Sequence, residues 1–223
     1  MRLNRILGLT MGAMLTAGAA QAGTVTVTYD LNNSVLNILT PLSIPNAADI
    51  TGTAVLTFTA NDVTQQIIDG PVSLDSVVVN VNLGVGGLAA TGLSGIVTTT
   101  LIPPASSTLT GNTLADAPAT FSLTGTINCT PGTTCALLGL PPSTVLNTTS
   151  SLALTNGEVN PTTAPSHLTG EQALNLSLGA LNTTGTVLLD GIETGRVFVP
   201  EPGTVMLVGM GLVGLAALGR KRA

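Results

Sequence analysis

Thr24-Val25-Thr26-Val27-Thr28-Tyr29 alternates hydroxyl-bearing and apolar or aromatic side chains without a break. In an extended chain successive side chains point to opposite sides, so Val25, Val27 and Tyr29 share one face and the three Thr share the other. That is the pattern of a strand with one side in a core and one side in water. It returns at residues 53–60, where Ala54, Leu56, Phe58 and Ala60 oppose Thr53, Thr57 and Thr59. It returns again where Phe121, Leu123, Ile127 and Cys129 oppose Thr120, Ser122, Thr124, Thr126 and Asn128, and where Leu174, Leu176 and Leu178 oppose Asn175 and Ser177. Residues 96–102, 151–154, 186–189 and 196–199 are further candidates, which brings the count to about nine strands.

One strand carries a fault in phase. Val72 and Leu74 are even-numbered, whereas Val77, Val79, Val81 and Leu83 are odd, so the inward face switches near Asp75-Ser76. A β-bulge or a break in the strand is predicted there. Clusters of Pro, Gly, Asn and Ser at residues 40–46, 84–95, 103–112, 141–142 and 156–170 read as loops. Between residues 23 and 199 no helical period is sustained, with 62–69 the best short exception. Thr-Gly-Thr recurs at 51–53, 124–126 and 184–186, but the irregular spacing argues against a solenoid with a fixed repeat. The expectation is one all-β domain over residues 23–199, an antiparallel β-sandwich or jelly roll. With aromatics at 2% of the chain, its core must be Leu, Val, Ile and Ala.

Both ends of the chain are signals. Arg2 and Arg5 precede an apolar stretch at residues 6–18, and Ala20-Gln21-Ala22 has the small-x-small pattern read by signal peptidase. A signal peptide over residues 1–22, cut after Ala22, would leave Gly23 as the first mature residue. At the other end Pro200-Glu201-Pro202 leads into an uncharged run at 203–219, followed by Arg220, Lys221 and Arg222. As a transmembrane helix rising about 1.5 Å per residue the run spans about 25 Å, a little under a hydrocarbon core of about 30 Å. Pro200 and Pro202 disfavour helix, which leaves Glu201 on an extended segment at the outer membrane face. The three basic residues hold the far end in the cytoplasm.

This order of Pro-Glu-Pro, apolar run and basic tail resembles the C-terminal sorting signal of PEP-CTERM proteins, and the resemblance is confined to residues 199–223. It implies an exosortase-like membrane protease as partner, cutting near Pro200-Glu201-Pro202, in a bacterium of Gram-negative type that makes exopolysaccharide. It also implies an inner-membrane intermediate that ends at the cell surface or outside the cell.

Charge follows the same division. Of the 11 acids only Glu201 lies outside residues 23–199, and of the 6 bases only Arg196 lies inside, which leaves ten acids against one base, a formal charge of −9. Binding to nucleic acid by phosphate neutralisation is excluded by that balance. Cys129 and Cys135 enclose the turn-forming Thr130-Pro131-Gly132-Thr133-Thr134, and in an oxidising compartment they are expected to pair. So short a loop contributes about 2 kcal/mol. A metal site would need further ligands, and the only His, His167, is remote in sequence.

No catalytic constellation emerges. Gly92-Leu93-Ser94-Gly95-Ile96 begins like a nucleophile elbow, but Ile96 stands where the second Gly should be. Gly84-Val85-Gly86-Gly87 lacks the Lys and hydroxyl residue of a phosphate loop. Ser166-His167 could form a dyad only with an acid brought in by the fold. Calcium at residues 30–33 or 61–62 competes with ordinary Asx turns. Sugar-stacking faces need exposed rings, and Tyr29, Phe58 and Phe121 all fall on the inward phase. The reading is an exported, non-enzymatic structural or adhesive protein without a cofactor, associated with exopolysaccharide or biofilm matrix. A secreted carbohydrate-binding module is the alternative, and a hydrolase the third.

Overall fold

The computed structural model describes residues 22–40, 43–137, 139–160, 165–178, 181–201 and 209–212. The expected signal peptide up to Gln21, including Ala20, lies outside them, as do Pro202, most of the expected transmembrane run and the tail Arg220, Lys221 and Arg222. No helix among the described residues is long and apolar enough to cross a membrane.

Eleven strands follow in order: β1 (Ala22–Asp30), β2 (Val35–Thr40), β3 (Ile44–Asn61), β4 (Ile67–Asn82), β5 (Leu93–Ile102), β6 (Ala105–Thr110), β7 (Thr113–Leu114), β8 (Ala117–Cys129), β9 (Ser143–Asn160), β10 (His167–Leu178) and β11 (Leu181–Val199). A 3-10 turn (Gly86–Thr91) and a short helical turn, α1 (Thr134–Leu137), lie between strands, and residues 209–212 are also helical. β2 continues the line of β1, since both lie between β3 and β11. In the same way β5 and β6 run in file along β4, and β7 and β8 along β9. The eleven segments are therefore eight staves among the described residues, each antiparallel to the next in sequence, and β11 returns to pair with β1. This is an up-and-down barrel.

The all-β antiparallel expectation holds, and the sandwich or jelly roll gives way to a single sheet closed on itself. Alternation reports which face is wet, and that face is the same in a sandwich and in a barrel. Inside lie Val25, Val27, Tyr29, Leu56, Phe58, Val79, Phe121 and Leu123, all within one hydrophobic cluster. Thr24, Thr53, Ser73, Thr100 and Thr120 face out. A barrel bathed in lipid has the reverse polarity, an apolar band outside and a polar lumen.

The predicted fault in β4 is a bulge at Asp75: Val55 faces Ser76 and Leu56 faces Leu74, so Asp75 is the extra residue. Its carboxylate accepts hydroxyl hydrogen bonds from Thr57 (2.6 Å) and Ser73 (2.6 Å) on the outer face. The phase switch therefore buries both Leu74 and Val77. The expected disulfide joins Cys129 to Cys135, with Cα atoms 5.9 Å apart.

Two loop assignments are corrected. Residues 103–112 contain β6, which lies against β4 and buries Ala105 and Leu109. Residues 156–170 are largely strand, because β9 continues to Asn160 and β10 starts at His167. Asn156-Gly157, which resembles a hairpin turn, is a bulge in β9 opposite Gly170, with Asn156 at φ 52°. β2, with Leu36 and Ile38 buried, lay unrecognised next to a predicted loop. At 62–69 there is no helix: the Asn61 side chain accepts the N–H groups of Val63 and Thr64 in a turn, and β4 begins at Ile67.

The Thr-Gly-Thr triplets sit inside β3, β8 and β11. At Gly125 the backbone has φ 148°, and a Cβ would lie 2.3 Å from the Ile96 carbonyl oxygen of the neighbouring strand. A mid-strand glycine lets a barrel wall bend and neighbouring backbones approach. Gly125→Ala is expected to cost at least about 2 kcal/mol through this strain, and thermal unfolding should drop by about 4–8 °C. At Gly195, where the nearest atom to an added Cβ is 4.0 Å away, Gly195→Ala should stay within about 0.5 kcal/mol.

Candidate functional site at the closing seam

The strand that closes the barrel is also the strand that leaves it. β11 pairs with β1 from Ile192 opposite Asp30 to Val199 opposite Thr24, so Pro200 is the first residue past the last rung. Ala22 and Gly23 pair with Asn61 and Ala60 at that same rim. A meander with an even number of staves brings its two ends to one side. Gly23 is buried, and a Cβ there would come within 2.7 Å of the Phe198 ring. Of the residues assigned to processing, the fold thus brings together Ala22, Gly23, Pro200 and Glu201, and it keeps the disulfide at Cys129 and Cys135 in a separate element, α1 and the end of β8.

Along the seam the ladder slips by one residue. Thr28 faces Gly195 and Tyr29 faces Glu193, so Thr194 is extra, and its hydroxyl donates to the Thr28 carbonyl (3.2 Å). The slip lets Glu193 and Arg196 meet: Arg196 Nε and Nη2 donate to the two carboxylate oxygens at 2.8 and 2.7 Å. Glu193 also accepts the Ser166 N–H (2.9 Å), and its own N–H donates to the Ser166 carbonyl (2.9 Å). The Ser166 hydroxyl shares a hydrogen bond of 3.1 Å with the Tyr29 phenol, and both residues are fully buried. The network joins β1, β11 and the segment entering β10.

Hydrogen bonding from Arg196 holds the Glu193 carboxyl below the ordinary carboxylate range; partial burial opposes this, and the Ser166 N–H adds to it. The same pair pushes Arg196 up. Burial pushes the Tyr29 phenol up to about 12, opposed by the Ser166 bond. Arg196, the single base of residues 23–199, is committed to holding the seam.

This arrangement fastens strands and offers no nucleophile. Ser166 is turned inward to Tyr29 while His167 is exposed, so the two do not form a dyad. Ser94 is exposed on β5 with no helix after it. In the candidate calcium loops Asp30 accepts the backbone N–H and the side-chain amide of Asn32 (2.9 and 3.1 Å), and Asn61 caps its own turn. Among the described residues no three of His, Cys, Asp and Glu gather as a metal site. The seam network was not anticipated from the sequence, although a lone Arg three residues after a Glu was its available signal.

A pH profile should show both limbs of the network. Glu193 has a depressed folded pKa, so its contribution is present above the unfolded value of about 4.3 and is lost as pH falls through the lower folded value. Tyr29 has a raised one, so its contribution is full below about 10 and fades as pH rises toward about 12. Denaturant midpoints measured across pH should show Glu193→Gln flattening the acid limb, and Tyr29→Phe the alkaline one.

No curated protein matches the chain in sequence. Among solved structures it is similar to Ail, the attachment invasion locus protein of Yersinia pestis, at 8% identity and a TM-score of 0.38, covering 80% of this chain and 100% of Ail. The structure of Ail in complex with the heparin analogue sucrose octasulfate aligns at 9% identity and a TM-score of 0.36, covering 79% of this chain and 99% of that one. Residues 198–222 match the PEP-CTERM protein-sorting motif, which implies export and processing by an exosortase-like membrane protein, and the match begins on the last two residues of the closing strand: the chain is a β-barrel that carries a PEP-CTERM sorting motif at its C-terminal end.

Proposed function

We propose that the barrel is cargo: a non-enzymatic structural or adhesive protein, exported, held briefly in the inner membrane, and released by an exosortase-like protease to the cell surface or the exopolysaccharide matrix. The observation that carries this reading is the meeting of Ala22-Gly23 and Pro200-Glu201 at one rim. Both proposed membrane segments, the signal peptide and the run at 203–219, then attach on the same side of the barrel, so both proteases work from one membrane face. The outer wall of Thr, Ser and Asn and the excess of acids suit a protein that stays dispersed in a hydrated matrix. The carbohydrate-binding alternative lacks support from aromatic rings, because Tyr29, Phe58 and Phe121 are buried in the barrel.

Pro200, Glu201 and Pro202 are the only residues between the last rung and the apolar run. Three extended residues reach about 10 Å, so the protease must act close beneath the barrel rim. The intact mass of protein from culture supernatant and from membranes, in cells making the whole chain, tests the proposal. The released form should begin at Gly23 and end near the Pro-Glu-Pro, and Glu201→Ala should leave the uncut form in the membrane. A supernatant without the barrel, with only a membrane form that keeps Arg220 to Ala223, would make the tail a permanent anchor and remove the reading.

Reach generates a separate prediction. A flexible Gly-Ser linker of about six residues inserted between Val199 and Pro200 should leave the cut product unchanged and raise the rate of its release in a pulse-chase measurement.

A further inference from the structure

The turn between β3 and β4 displays an apolar side chain to water. Asn61 holds this turn on both sides: its side-chain oxygen accepts the N–H groups of Val63 (2.9 Å) and Thr64 (3.0 Å), its carbonyl accepts the Gln65 N–H (2.7 Å), and its own N–H donates to the Gln66 carbonyl (2.9 Å). At the tip so fixed stands Val63, 88% exposed. Turns favour Gly, Pro, Asn, Asp and Ser, and valine suits a half-buried strand. Its side chain here serves neither the turn nor the core.

Ladder position sets this tip at the rim where the chain leaves the barrel. Thr24 of β1 pairs with Val199 on one side and with Thr59 on the other, so Val199 and Thr59 stand level. From Val199 the residues Pro200, Glu201 and Pro202 lead to the apolar run, and from Thr59 the residues Ala60, Asn61 and Asp62 lead to Val63. Either path reaches about 10 Å at full extension, so Val63 stands at the depth where the apolar run begins. Val197 and Val199 on the last rungs and Ile68 at the start of β4 are exposed beside it. Residues 209–212 of the run itself are helical, with Met210 and Leu212 exposed. The rim carries the acids Asp62 and Glu201, while Arg196 is held by Glu193, so what it offers a bilayer is apolar contact without cationic attraction.

We propose that this rim sits on the lipid surface for as long as the tail is in the membrane, with Val63 inserted at the boundary between headgroups and acyl chains and Val199 beside it. The partner is a zwitterionic leaflet. The seat rests on the membrane-held intermediate proposed above, and it adds an orientation to it: the barrel stands on its Val63 rim, which fixes the depth of Pro200-Glu201-Pro202. Contact of this size does not hold a protein alone, since even one acyl chain gives only marginal, reversible binding. Once the tail is cut, the seat lets go.

The test places the full chain in phosphatidylcholine nanodiscs that contain a lipid with a nitroxide near the headgroup end of its acyl chain, and reads methyl signals by NMR. Leu137, 86% exposed on α1 beyond the opposite end of the barrel, is the reference. The Val63, Val199 and Leu212 methyl signals should be lost to the nitroxide while Leu137 stays sharp, and Val63→Asp, at an exposed position that leaves the fold intact, should restore the Val199 signal. Loss at Leu212 with Val63 as sharp as Leu137 would overturn the seat and leave the anchored intermediate standing. Equal loss at Val63 and Leu137 would overturn the orientation and the seat with it. A sharp Leu212 would show that the run is not in the bilayer, and would remove both the intermediate and the seat.

Discussion

Everything in this molecule depends on the pairing of β11 with β1. A β-sheet that is not closed has two edges of unpaired N–H and C=O groups, and an exported protein with exposed edges risks pairing with other copies of itself. Here the last stave returns to the first, so each of the eight has two neighbours, and the polar backbone is satisfied around the ring. The same closure defines an inside. Only after β11 meets β1 do Val25, Tyr29 and Phe58 on one side and Val187 and Leu189 on the other face a common core.

Closure demands curvature, and the chain supplies it by local irregularity. Bulges lie at Asp75, at Asn156-Gly157 and at Thr194, and glycines in mid-strand let neighbouring backbones come close. Two of these irregularities also carry side-chain hydrogen bonds. The Asp75 bulge carries a carboxylate that ties Thr57 to Ser73 on the wet face. At Thr194 the slip lets Glu193 reach both Arg196 and Ser166, so that the seam is held by side chains as well as by its ladder. The third bulge sets Gly157 and Gly170 across from one another, where their backbones approach closely and Leu114 packs against Gly157.

The distribution of charge and polarity ties the fold to its setting. With a single base committed to an ion pair, the exported part presents acids and hydroxyls to water. The core is apolar, and it holds the aromatic rings of Tyr29, Phe58 and Phe121. The sorting motif begins on the last two residues of the closing strand. The even number of staves is what sets the start of β1 and the end of β11 at one rim.

The sequence by itself determined the inward face of the strands at 24–29, 53–60 and 121–129, because alternation is a property of an extended chain. It located the Asp75 bulge, since an inserted residue must switch the phase between Leu74 and Val77. It paired Cys129 with Cys135, and it carried the PEP-CTERM match at 198–222, which is a local pattern. What only the tertiary structure decided is which strands are neighbours. Every backbone offers the same N–H and C=O, so nothing in Val35–Thr40 or Ala105–Thr110 names its partner, and both pass for the fringe of a loop until they are seen in line with β1 and β5. Asn156-Gly157 is turn chemistry in either case; the straight continuation of β9 against β7 and β8 makes it a bulge. The inward aim of Ser166 and Gln172 belongs to the same class, for a polar side chain carries no hydrophobic signal, and its burial is set by the staves that close around it.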